Sequence, residues 1–118
     1  GDILSNAISE IYKAGINPFW WVIEKPENEE ENKELSEILN QFDPEVGIIF
    51  QCETISIKHI KPFFKLTNTS LNNFGFKVGL NVFWEYWEKL VHGKMDRSEI
   101  AKKISKRSQN LINIYNKK

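Results

Sequence analysis

"EVGIIFQCETISIKHIKPFFKLT", Glu45–Thr67, is the stretch on which the fold turns. Val46 to Cys52 is an apolar, β-branched run of strand length. Ile55 and Ile57 then alternate with Ser56 and Lys58, which predicts either the same strand continued past a bulge or a second strand. "KPFFKLT" and, downstream, "FGFKVGL" (Phe74–Leu80) are two further candidate strands, with the turn residues of "NTSLNN" between them. Strands joined by connections this short pair antiparallel. The expectation is therefore an α+β domain with a mostly antiparallel central sheet of three to five strands, helices covering one face.

Working outward, the flanks supply the helices. Leu4, Ala7, Ile8, Ile11 and Tyr12 recur at helical spacing and Gly15 follows as a stop, predicting an N-terminal helix near 3–14. "NPFWWVIEK" predicts a strand near 19–24, entered through Pro18 and closed by Pro26. Leu35, Ile38, Leu39 and Phe42 then mark an acidic helix near 28–42, ended by Pro44. Glu27, Glu29, Glu30 and Glu31 are its solvated start, where a helix N-terminus favours negative charge.

Toward the C-terminus, Leu80, Phe83, Trp84, Trp87, Leu90 and Val91 form one stripe, with Glu85, Glu88, Lys89 and His92 on the other side. Gly93 sits where a helix ends in a left-handed residue. Asp96 and Glu99 make a capping box, and Met95 and Ile100 are placed for a hydrophobic staple across it. These signals predict a helical hairpin, 81–92 and 97–116, with Asn81 as a cap. The stripe places Trp84 and Trp87 largely in the core.

At 118 residues the chain has the size of one domain, able to bury about two-thirds of its unfolded surface. Its hydrophobic share of 41% and aromatic share of 13% belong to a globular protein. Apolar runs such as "GIIF" and "FWWVI" are too short to span a bilayer. No signal-peptide pattern opens the sequence, and the single cysteine, Cys52, leaves no internal disulfide; a cytoplasmic setting is the expectation. Net charge is zero, but residues 1–45 carry eleven acids against three lysines, whereas residues 89–118 carry nine basic groups against two acids. Such polarity points to electrostatic partners, or to two ends that face each other.

Little in the sequence resembles catalysis. Cys52 and His59 are the only Cys/His grouping, and Cys52 shares the alternation of the apolar residues Ile48 and Phe50, which makes it a core cysteine. No metal-ligand spacing exists, so neither a metal nor another cofactor is expected. The glutamates of the acidic helix lie in a solvated environment, the opposite of what separates the pKa values of a catalytic pair. They are better suited to meeting a basic protein. The partner-binding candidates are Glu27, Glu29, Glu30, Glu31, Glu34 and Glu37, with Trp20 or Trp21 beside them; strand alternation puts the two tryptophans on opposite faces. The alternative is nucleic-acid binding by Lys102, Lys103, Lys106 and Arg107 on the last helix, although no aromatic interleaves them to stack bases.

One resemblance adds to this reading. "FWEYWEKLVHGKMDRSEIAKKI", Phe83–Ile104, is a helix, a Gly-Lys break and a capped helix. It is similar to the helical hairpin of small bacterial toxin-immunity proteins of the bacteriocin and contact-dependent-inhibition type, including the colicin D-type group. The resemblance covers only this hairpin, and the β-containing first half departs from the all-helical colicin D-type pattern. What it implies is a role: a non-enzymatic inhibitor that binds a cognate toxin domain and covers its active site; the acidic segment, as a polyanion mimic, points to a nuclease as that toxin.

Overall fold

A computed structural model describes residues 2–52, 56–70 and 72–117. In chain order the elements are α1 (Asp2–Lys13), β1 (Trp20–Glu24), α2 (Glu29–Phe42), β2 (Gly47–Gln51), a 3-10 turn (Ile57–His59) leading into α3 (Ile60–Thr67), β3 (Asn73–Lys77), α4 (Leu80–Val91) and α5 (Arg97–Asn116). The three strands form one sheet in the order β1-β2-β3. Strand β1 pairs parallel to β2, from Trp20 opposite Gly47 to Glu24 opposite Gln51. Between β2 and β3, Ile48 N donates to Asn72 O at 2.7 Å and Cys52 N to Lys77 O at 2.9 Å. Both partners advance in the same sense, so this pairing is parallel too.

The mostly antiparallel sheet expected from the sequence is thus wrong, and "KPFFKLT" is the reason. It forms the helix α3 rather than a strand. Ile60, Phe63, Phe64 and Thr67 are all buried, and their spacing of i, i+3, i+4, i+7 is that of a helix face. Pro62 falls in the first turn, where its missing N–H costs no hydrogen bond. With a helix between β2 and β3, the chain makes two successive β-helix-β crossovers, and these require parallel strands. The possible strand through Ile55 falls on residues 53–55, outside the described residues, and Ile57 begins the 3-10 turn.

The chain divides into two compact units, Gly1–Gln51 with Lys65–Phe76, and Cys52–Phe64 with Lys77–Lys118. The first holds the sheet with α1 and α2. Crossovers of the usual right hand in the order 1-2-3 put their helices on the same face of the sheet. The polar contacts agree. Asn32 of α2 donates to Leu66 O at 3.0 Å and to Thr69 Oγ1 at 2.8 Å, and the hydroxyls of Ser36 and Ser70 lie 2.8 Å apart. The core of this unit includes Ile8, Tyr12, Ile23, Leu35, Leu39, Ile48 and Phe50.

The second unit is built on the α4–α5 hairpin. Gly93 turns with φ 68°, and Lys94 N donates to Lys89 O at 2.8 Å, which ties off the last turn of α4. Asp96 caps α5 by accepting from Glu99 N at 2.9 Å. Asn81 is not the N-cap of α4; that place falls to Gly79. Its amide instead donates to Cys52 O at 2.7 Å. Val82, Ile100 and Leu111 are buried with Ile60, Phe63 and Phe64, and the Tyr115 ring meets Phe64 edge-on at 5.3 Å. Burial pushes the Tyr115 hydroxyl above its ordinary pKa.

Candidate functional site

Strand alternation resolves the two adjacent tryptophans. Trp21 points to the helix-covered face, where its Nε1 donates to Tyr12 Oη at 3.1 Å. Tyr12 in turn stacks on Phe42 of α2 at 4.8 Å. Trp21 is part of the packing between α1 and the sheet. Trp20 points the other way and is 56% exposed. Val22 and Phe74 are exposed as well. Register places Trp20 beside Gly47 and Val22 beside Ile49. The Phe74 side chain lies where a Cβ on Gly47 would be, so the glycine lets an aromatic ring lie across the strand. Parallel strands are ordinarily covered on both faces. Here Trp20, Val22 and Phe74 leave an aromatic face open, with Phe19, almost fully exposed, at its entrance.

The acids begin at Glu27, just before α2, and run along the helix, which follows the C-terminal end of β1. Asn28 caps the helix by accepting from Glu31 N at 2.9 Å. The Glu31 carboxylate accepts from Glu27 N at 2.8 Å, and this bond holds its pKa below the ordinary value. Glu31 and Glu34 border a groove of about 420 Å³, together with Glu24 and the apolar side chains of Trp21, Pro26 and Leu35. Glu29, Glu30 and Glu37 turn to a different depression, shared with Lys33, whose Nζ lies 3.9 Å from Glu37. The six glutamates therefore flank α2 on two sides instead of forming one patch. Only Glu31 and Glu34 join Trp21 around a cavity, while Glu27 and Trp20 line neither depression. A carboxylate held ionised by a backbone N–H is unsuited to donate a proton as a general acid. Lys25 also lines the groove of Glu31 and Glu34, and its three carboxylates leave an acidic balance that suits the long, charge-tipped side chain of a lysine or arginine.

On α5, Lys102, Lys103 and Lys106 are exposed. Arg107 is turned toward α4, 3.1 Å from Glu85 and 4.6 Å from the centre of the Tyr86 ring. Arg107 is thus engaged within the hairpin, while the three lysines face solvent. Cys52 is buried, its thiol donating to Lys77 O at 3.2 Å. Among the described residues no group of three His, Cys, Asp or Glu side chains could hold a metal, and no helix is long and apolar enough to cross a membrane.

One surface escapes the sequence reading. Trp84 and Trp87 are 49% and 50% exposed, not in the core. Helix α4 meets α5 through the opposite side, by way of Val82, Tyr86 and Lys89. The signal was present, because Val82 and Tyr86 are one turn apart on the face that also carries Glu85 and Lys89. A face with two charges among its apolar residues loses to the aromatic stripe in any count of hydrophobicity.

The chain belongs to the family described as "Uncharacterized protein conserved in bacteria (DUF2090)", matched over residues 1–118. No curated protein and no solved structure matches it.

Proposed function

We propose that the protein works by binding: it is a non-enzymatic inhibitor of the immunity type, which neutralises a bacterial toxin by covering its active site. The observation that carries this reading is the open sheet face of Trp20, Val22 and Phe74, next to the acidic groove of Glu24, Glu31 and Glu34. Tryptophan is among the residue types most enriched at binding hot spots, and the carboxylates of the groove select a basic partner. A nuclease fits, since its active site is shaped to receive a polyanion. The resemblance of the α4–α5 hairpin to immunity proteins supports the same class of role.

The test starts from the genes adjacent to this one: any that encodes a growth-arresting domain is co-expressed with this protein. The wild-type protein restores growth and abolishes the toxin's activity at one-to-one stoichiometry. Trp20→Ala and the double reversal of Glu24 and Glu34 to lysine each weaken protection. A toxin that stays fully active at a molar excess of the wild-type protein overturns the reading.

A further inference from the structure

We propose that α4 pairs antiparallel with α4 of a second copy of this chain, across the stripe Leu80, Trp84, Trp87 and Val91. Four observations lead there. First, α4 is held by α5 through one side only, with Arg107 between Glu85 and Tyr86; the opposite side carries Leu80 47%, Phe83 38%, Trp84 49%, Trp87 50% and Val91 63% exposed.

Second, the size fits. Two half-exposed tryptophans with the three other side chains amount to on the order of 500 Å² of apolar surface. That is as large as the largest apolar patch of a typical monomer, about 300–600 Å², a size that often marks an interaction site. Doubled across a two-fold axis it reaches about 1,000 Å², the lower bound for a specific interface.

Third, the stripe is its own reverse. Its spacings run four, three, four. An antiparallel partner therefore places Leu80 against Val91 of the second copy, and Trp84 against Trp87 of the second copy, twice. That is the self-complementarity a two-fold interface demands. An isolated basic or acidic partner helix has no reason to match that symmetry.

Fourth, the charges permit it. The residues flanking the stripe are Phe83 and Leu90 on one side, Asn81 and Glu88 on the other. Antiparallel pairing sets Phe83 beside Leu90, and Glu88 beside Asn81, with the two Glu88 about 8 Å apart along the axis. The helix dipoles are also opposed, N-terminus beside C-terminus. A parallel pairing would align the dipoles and set Glu88 against the apolar flank of Phe83 and Leu90.

The experiment uses the full chain. Sedimentation equilibrium of the wild type is expected to give twice the 13.9 kDa chain mass, and Trp87→Glu, at an exposed position, to give the single-chain mass with unchanged circular dichroism. Orientation is read by cysteine cross-linking, Cys52 being buried. Leu80→Cys mixed with Val91→Cys should form a disulfide-linked dimer. Leu80→Cys alone should not, because the two Leu80 positions would stand about 16 Å apart along the helix axis, beyond disulfide reach. A monomer at concentrations up to about 1 mM, the weak limit of specific association, overturns the proposal. So does a dimer that Trp87→Glu leaves intact, or one that Leu80→Cys alone cross-links. The toxin-protection assay is read separately, since Trp87 lies outside the surface assigned to that partner.

Discussion

At the scale of single residues, Gly47 does what no other residue could. The Phe74 ring occupies the space of a Cβ at this position, so Gly47→Ala must move the ring or the strand. Forced overpacking of this kind costs about 1–3 kcal/mol, and the collision predicts strong coupling. In a Phe74→Ala background the same alanine should cost less than about 0.5 kcal/mol, a departure from additivity that a double-mutant cycle in urea detects. Equal costs in both backgrounds would mean that the ring does not rest on Gly47. The sequence marks Gly75 and Gly79 as unusual in a strand but offers no cue for Gly47, because the need arises from a residue on the neighbouring strand. Trp20 and Trp21 were legible in part for the same reason. Alternation says that one faces outward; which one depends on where α1 lies, a tertiary fact settled by the Tyr12–Trp21 hydrogen bond.

At the scale of elements, the features that are local in sequence were the legible ones. Asp96 caps α5, Gly93 ends α4, and the acidic helix runs at Glu29–Phe42. These rest on bonds within a few residues. Helix α3 was missed because eight residues rich in phenylalanine fit a strand and a helix alike; only the burial of Ile60, Phe63, Phe64 and Thr67 together decides it. The inner side of α4 was missed because Arg107, twenty-two residues away, is what makes Glu85 and Tyr86 a contact. That contact is titratable. The Arg107 guanidinium beside Glu85 holds its carboxyl below the ordinary 4.5. A depressed folded pKa means stabilisation that is fully present above 4.5 and lost as pH falls through the folded value. The hairpin should therefore lose stability below about pH 4.5. Glu85→Gln should flatten that part of the profile, as followed by thermal unfolding from pH 7 to 3. An identical pH dependence in wild type and Glu85→Gln would remove Glu85 from the account.

At the scale of the whole molecule, charge follows the division of the chain. The first unit holds eleven acids against four lysines, the second five acids against twelve basic groups. Composition alone already displays this asymmetry, whereas the parallel sheet and its uncovered face emerge only once α3 is known to be a helix. The asymmetry makes opposite kinetic demands on the two kinds of partner-binding residue. Charges around a groove act at a distance and steer encounter, so they govern the association rate and are screened by salt. An exposed tryptophan acts on contact, so it governs dissociation. For a toxin domain of the proposed kind, stopped-flow measurement should show the wild-type association rate falling by about tenfold or more from low salt to 0.5 M. Reversal of Glu24 and Glu34 should abolish much of that slope. Trp20→Ala should leave the slope in place, change the association rate by less than about threefold, and accelerate dissociation by about 30-fold or more, as expected for loss of a hot-spot side chain worth at least about 2 kcal/mol. If the charge reversal instead accelerates dissociation with the salt slope untouched, the glutamates are in direct contact and the steering role is wrong. If Trp20→Ala changes neither rate, the partner does not use the open face of the sheet.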